Sequence, residues 1–188
     1  TCIGFIDAHA HRRVAYNPEE FVGSMSGDMN GPLVTSFRPR KNEWLLGVVT
    51  RDTRMGYLAP TPDKSSLCVK DGLSEMELDW RRRWRSHSGG GRELLGHLLR
   101  TCRERGLVTT DTGTYDPAAN GQAEQFLGDV VRGAALLLHQ AGLSVVFWDF
   151  AAEHYLEIRN RRAMKIPGKE VDMAPLHAEF IVIHGEEK

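Results

Sequence analysis

Two carboxylates in the stretch DTGTYDPAANGQAEQF, residues 111–126, stand in positions that could serve catalysis. Asp111 ends a short β-prone run and opens an Asp-Thr-Gly-Thr tetrad. Glu124 follows the turn signal Asn120-Gly121, where a long helical pattern begins. A turn of this kind places the Glu124 carboxylate on the first turn of a helix. The sequence therefore offers two alternative carboxylates for chemistry, one at a strand end and one at a helix start.

The elements that must position these carboxylates follow from hydrophobic periodicity and turn signals. Strand patterns cover residues 22–29, 43–49, 54–60, 79–88 and 107–115. Helical patterns cover a segment capped near 63–66 and ending at about 78, then 92–106, 121–140 and 145–162. The run FIVIH near the end of the chain is strand-like. A three-strand meander followed by alternating strands and helices predicts an α/β domain with a mixed sheet and helices on its faces.

Bulk composition narrows the class of protein. The 188 residues are 41% hydrophobic and 26% charged, typical of a globular domain, and the formal net charge of −1 means that nucleic-acid binding would need a local basic cluster. Three scattered cysteines form neither a disulfide framework nor a zinc pattern, which favours a reducing compartment, nuclear or cytoplasmic. No apolar run approaches the ~20 residues of a membrane span. Because the first residue is Thr1, we expect a fragment of a longer polyprotein.

The segment YDPAANGQAEQF resembles the Tyr-x-Pro-x-x-Asn-Gly-x-x-Glu motif of retroviral and retrotransposon integrase catalytic cores, nearest the Copia/Ty1 type. GDMNGPL resembles the segment around the first catalytic aspartate of that family, and FWDFAAEHYLEIRNR is similar to the helix that follows its active site. The resemblance implies a ribonuclease H-like α/β fold, with a mixed five-stranded sheet flanked by helices. It divides the chain into an irregular leader (1–21), a catalytic-core-like domain (22–165) and a C-terminal tail (166–188).

The resemblance also implies a triad that holds two divalent ions, Mg²⁺ or Mn²⁺, and it assigns Asp28 and Glu124 to the first and third positions. RSHSGGGREL resembles the family's stretch around the second aspartate, and here that position is occupied by His87. Imidazole suits Zn, Cu, Fe or Ni better than Mg²⁺, so replacing a carboxylate by His should weaken one metal site. We therefore expect weakened metal binding at Asp28, His87 and Glu124, and impaired DNA strand transfer.

Several residues are candidate contacts for DNA, which the resemblance implies as retroelement ends and target. The densest basic cluster interleaves arginines with Trp80 and Trp84 and could grip phosphates, or it could be a solvated, degraded strand. Arg132 lies two turns after Glu124, on what the pattern suggests is the same helix face. The candidate nucleic-acid contacts are Arg81, Arg82, Arg83, Arg85, Asn120 and Arg132.

Besides His87, the chain departs from the family's motif at a second place, and two alternative functions remain open. The family often carries Asn-Arg three and four residues after its glutamate, where this chain has Leu127 and Gly128. A nonenzymatic nucleic-acid-binding relic is therefore the main alternative. The tetrad beginning Asp111-Thr112-Gly113 resembles the catalytic tetrad of aspartic proteases, but Thr109 and Thr110 precede it where apolar residues are expected. Family cores dimerise through helical faces, so a homodimer is a further expectation.

Overall fold

The computed structural model describes residues 24–76, 85–88, 108–111 and 121–185, and Arg100 in a helical conformation. Within these ranges one mixed sheet has the strand order β3-β2-β1-β4-β5. Its strands are β1 (Ser24–Asn30), β2 (Trp44–Thr50), β3 (Gly56–Thr61), β4 (Arg85–Ser88) and β5 (Val108–Asp111). β1, β2 and β3 pair antiparallel, whereas β4 pairs parallel with both β1 and β5. The predicted α/β class with a mixed sheet is confirmed.

Helices cover both faces of the sheet. The described ones are α1 (Ser66–Glu75), α2 (Gly121–Ala141), α3 (Trp148–Arg161) and α4 (Pro175–His184), and a short 3₁₀ turn (Val145–Phe147) precedes α3. The Ser65 hydroxyl caps α1 by accepting from the Cys68 backbone N–H, as the cluster of polar residues before this helix predicts. None of the described helices is long and apolar enough to cross a bilayer.

The strand-like run FIVIH is wrong as a strand prediction, because residues 180–184 lie in α4. Pro175 occupies the first turn of this helix, where its fixed φ favours helix formation. A short apolar run cannot be assigned to strand or helix from periodicity alone. The fold decides here, because Ala178 and Glu179 are buried while Phe180 and Val182 remain exposed.

Alternation along the strands builds a core on each face of the sheet. The face covered by α1 contains Met25, Leu46, Val48, Ala59, Val69, Leu73 and Met76. The opposite face, covered by α2 and α3, contains Leu45, Val49, Phe126, Leu127, Val130, Ala134, Leu138, Trp148, Ala151 and Ala152. Because Met25 and Met29 belong to the first face, the alternate residues of β1, including Asp28, lie on the face that α2 covers.

Candidate active site

Asp28 lies in the middle of the sheet, on β1, and is half-buried. Its Oδ1 accepts a hydrogen bond of 2.8 Å from the backbone N–H of Met29. The register of β1 and β2 places Asp28 opposite Gly47. Residues directly opposite one another in an antiparallel pair share a face of the sheet. The Asp28 carboxylate therefore lies on the same face as α2, next to a position that has no side chain.

The missing side chain at Gly47 lets α2 approach the sheet beside Asp28. A Cβ atom at Gly47 would lie 2.5 Å from Cδ2 and 2.9 Å from Cγ of Leu127. Real Cβ contacts are essentially never this short, so any side chain at this position would force Leu127 to shift. Since Leu127 comes one helical turn after Glu124, the first turn of α2 is held against the strand pair that carries Asp28.

Glu124 occupies the first turn of α2 and is exposed. The neighbouring residues Ala123, Phe126 and Leu127 are buried and anchor this turn to the sheet. Gln122 adds a polar anchor, since its Nε2 donates to the Thr50 carbonyl at 3.3 Å. A carboxylate at a helix N-terminus is also favoured by the helix dipole. The helix start predicted at Gly121 is confirmed, and with it the position of Glu124 on a rigid element.

His87 lies on β4, directly beside the strand that carries Asp28. Its backbone is in register with Ser26 of β1 and Thr110 of β5. Asp28 is two residues further along β1, so the Cα atoms of Asp28 and His87 are roughly 8 Å apart by strand geometry. The side chain of His87 lies outside the described atoms.

Asp111 ends β5, as the sequence predicts, and is in register with Ser88. Ser88 is in turn in register with Gly27. Asp111 therefore lies one residue beyond the row formed by Ser26, His87 and Thr110. β1, β4 and β5 run parallel, so their carboxyl ends meet at one edge of the sheet, where α/β proteins commonly place their sites. Asp111 therefore ends its strand one residue beyond the row that contains His87, and its place beside the candidate site stays a prediction.

The candidate nucleic-acid contacts divide into three groups. Arg81, Arg82, Arg83 and Asn120 lie outside the described residues. Arg85 is the first residue of β4, an interior strand, and its backbone is in register with Ser24 and Val108. This placement confirms a strand at residues 85–88 and leaves the role of the arginine cluster a prediction.

Arg132 is exposed on α2, as is Glu124. It lines a cleft of about 360 Å³ beside α3, together with Gln125 and Asp129, and Glu124 is not part of this lining. Eight residues along an α-helix rotate the side-chain direction by roughly 80°, so Arg132 projects to one side of Glu124. Its role as a DNA contact stays a prediction.

Sequence reasoning missed the cationic partners of Arg132 in this cleft. Arg54, Arg159 and Lys165 line it from the β2–β3 turn, from α3 and from the segment after α3. The three residues are far apart in the chain and form no local basic run. No pattern in the sequence could have grouped them, because only tertiary packing brings them together.

The three candidate ligands differ in the divalent ions that they prefer. Asp28 and Glu124 offer hard carboxylate oxygens, which Mg²⁺ prefers, whereas the residue at position 87 offers an imidazole. Among the side chains that the structure describes, no group of three or more His, Cys, Asp or Glu is arranged to hold a metal ion. The proposed triad includes His87, whose side chain is outside that set, so the metal site stays a prediction.

No family model matches the sequence. The fold is similar to the catalytic core domain of BIV integrase, with a TM-score of 0.61 at 17% identity over 87% of this chain and 97% of that one. It is also similar to a chain of the simian T-cell lymphotropic virus intasome in complex with PP2A regulatory subunit B56 gamma, with a TM-score of 0.64 at 13% identity. This protein covers 55% of that second chain, about half its length. At this level of identity the similarity concerns the architecture, and the chain has the ribonuclease H-like α/β fold of an integrase catalytic core.

Proposed function

We propose that the chain is an integrase-core-like domain of a Copia-type retrotransposon polyprotein, and that its ancestral reaction is metal-dependent DNA strand transfer. The observation that carries this proposal is the packing of Leu127 on Gly47, which holds the first turn of α2 beside Asp28 in an integrase-core fold. The DNA partner, retroelement ends and target, and a nuclear or cytoplasmic location belong to the same proposal.

In this proposal Asp28, His87 and Glu124 are the ligands of Mg²⁺ or Mn²⁺. Two such ions, when bound, activate the attacking oxygen and stabilise the leaving oxygen of a phosphodiester. Asp28 is held by the Met29 N–H and by its strand, and Glu124 by the buried residues around it on α2. His87 removes one negative charge from the site, so we propose that catalysis is impaired.

A disintegration assay tests the assignment. The unaltered chain and His87→Asp are compared in Mg²⁺ and in Mn²⁺, with Asp28→Asn and Glu124→Gln in the His87→Asp background as controls. We expect activity from His87→Asp alone, and its loss in both controls. Robust Mg²⁺-dependent activity of the unaltered chain would show that His87 is a competent ligand and would refute the impairment.

The second candidate is a nonenzymatic nucleic-acid-binding domain that keeps the fold. The basic cluster Arg81, Arg82, Arg83 and Arg85 motivates it, and Arg85 lies on β4, the strand that also carries His87. Salt-dependent DNA binding without activity in either the unaltered chain or His87→Asp would favour this function.

The aspartic protease alternative gains no support from the fold. Cleavage of a peptide by the chain, inhibited by pepstatin, would revive it.

A homodimer is also part of the proposal. An apolar hollow of about 890 Å³ lies between the end of α2 and the start of α3. Phe37, Leu143 and Phe150 line it and are exposed by 64%, 55% and 47%, which is unusual for large apolar side chains on a monomer. Sedimentation of the unaltered chain against Leu143→Asp tests this, and we expect the substitution to shift the equilibrium toward monomer.

A further inference from the structure

A second polar site lies beside α2, and Glu124 is not part of its lining. The cleft of about 360 Å³ is bounded by α2, by the β2–β3 turn, by α3 and by the segment after α3. Its charged side chains come from each of these elements: Arg54, Asp129, Arg132, Arg159 and Lys165. Among these described lining residues, four cations face a single carboxylate. On a chain of net charge −1, this is a strong local excess of positive charge.

Arg159 stands at the base of the cleft and is fixed by three contacts. Its Nη1 donates to the Arg54 carbonyl at 3.0 Å, its Nε lies 3.5 Å from Oδ2 of Asp129, and its guanidinium lies 4.8 Å from the ring centre of Phe126. These contacts hold the guanidinium in one place and leave little freedom to lose on binding a ligand.

Arg159 is largely buried, and the carboxylate beside it is that of Asp129. Its side chain is 11% exposed, and its buried Nε makes no hydrogen bond to any described residue. Burial lowers the pKa of Arg159, Asp129 opposes this effect, and the nearby charge of Arg54 lowers it further. An anion in the cleft would offset both the desolvation and the repulsion between these arginines.

The β2–β3 turn presents Arg54 to the same cleft. Arg54 has φ of 60°, in the left-handed region that side chains other than glycine rarely adopt. Its N–H donates to the Thr50 carbonyl at 3.1 Å, and its own carbonyl is the acceptor for Arg159. The backbone of this turn and α3 are thereby joined through Arg159, and the turn brings a second arginine to the lining of the same cleft.

We propose that this cleft is a phosphate-binding site, separate from the Asp28 and Glu124 site. Arginine forks suit phosphate oxygens in two-point contacts, and the three-charge excess matches a phosphate group of about −2 or successive phosphodiesters better than one carboxylate. The phosphate belongs to a nucleic-acid strand or to a free phosphorylated compound. Among the described lining residues no exposed ring is available for base stacking, since Phe126 is 3% exposed, so we expect binding to be independent of base sequence.

The test compares two double variants that remove the same charge. Arg132→Gln with Lys165→Gln alters exposed residues of the cleft, and Arg40→Gln with Arg161→Gln alters exposed arginines outside its lining. Binding of a labelled single-stranded oligonucleotide is followed by fluorescence polarisation at several salt concentrations. Binding of inorganic pyrophosphate is followed by calorimetry, and pyrophosphate also serves as competitor of the oligonucleotide.

We expect the cleft variant, and not its control, to lose pyrophosphate binding. If the phosphate comes from a nucleic-acid strand, the cleft variant also weakens oligonucleotide binding by roughly tenfold and lowers its salt slope by about 1.4, and pyrophosphate competes. Pyrophosphate binding that depends on the cleft, with unaffected oligonucleotide binding, assigns a free phosphorylated ligand.

Equal binding by the cleft variant and its control overturns the site, as does an unaltered chain that binds neither probe. The disintegration assay of the Asp28 and Glu124 variants is independent of these measurements. Failure of the cleft proposal would therefore leave the proposed function standing.

Discussion

Leu127 of α2 packs directly onto Gly47 of β2, so closely that a Cβ at Gly47 would come within 2.5 Å of the leucine Cδ2. Gly47 is also the residue opposite Asp28 in the sheet. This contact joins the helix that carries Glu124 to β2, the neighbour of the strand that carries Asp28. The geometry of the candidate site therefore depends on a residue that has no functional group.

Gly47→Ala should destabilise the fold by roughly 1–3 kcal/mol, because the buried Leu127 side chain would have to shift within the core. Urea unfolding measures this loss. Gly128→Ala is the matched control, because a Cβ there meets nothing within 4 Å. An alanine in that open helical position should stabilise by about 1 kcal/mol. Equal effects of the two substitutions would contradict the close approach of α2 to the sheet.

Asn160→Ala should cost roughly 2–4 kcal/mol, because its buried side chain satisfies both backbone groups of Gly56. Nδ2 donates to the Gly56 carbonyl at 2.9 Å, and Oδ1 accepts from the Gly56 N–H at 3.0 Å. Equilibrium denaturation measures the loss, and Arg161→Ala, one residue away and exposed, should change stability by about 0.5 kcal/mol or less. A neutral Asn160→Ala would mean that water replaces both bonds.

Asp149→Ala should cost roughly 1–3 kcal/mol, since it leaves the buried Asn42 amide without its acceptor and removes the buried partner of Arg38. Asp149 is fully buried and accepts from Asn42 Nδ2 at 3.1 Å and from the Phe150 N–H at 2.9 Å, with Arg38 Nε at 3.4 Å. Glu153, the exposed second acid on Arg38, provides the contrast, and Glu153→Gln should cost about 1 kcal/mol or less. Thermal unfolding of both variants compares the stability contributed by the Arg38–Asp149 and Arg38–Glu153 ion pairs. Similar losses of stability would contradict the burial of the network around Asp149.

Stability should fall at alkaline pH through Tyr155. Burial raises the pKa of Tyr155 above its ordinary value of 10.0, and the charge of Asp129, which accepts a hydrogen bond of 3.2 Å from its hydroxyl, raises it further. The folded state therefore holds this proton more tightly than the unfolded chain. The stabilisation is complete below about pH 10 and is lost as pH rises through the folded-state pKa.

Tyr155→Phe removes this titration, so its urea midpoint should depend less on pH than that of the unaltered chain between about pH 9 and 11. Parallel curves for the two proteins would assign the alkaline loss to other groups.

Local patterns were sufficient for much of this fold. The long apolar repeat with Gly142 after it predicted α2, and strand formers around Leu46 and Val48 predicted β2. The sequence-based predictions failed where tertiary contacts determine the local structure or bring distant residues together. The run FIVIH reads as strand or helix until the burial of Glu179 selects the helix, and the cationic cleft joins four segments that no local pattern relates.

The last helix also has a consequence for synthesis on the ribosome. The buried Thr53 hydroxyl in the β2–β3 turn donates to Glu179 of α4, 126 residues later in the chain, and Tyr57 donates to the same carboxylate at 3.4 Å. At ordinary translation speeds the turn emerges about 6–25 s before its acceptor. During that interval water must hydrate Thr53 and Tyr57, so the nascent domain reaches its final hydrogen bonding at this sheet edge only when α4 has been made.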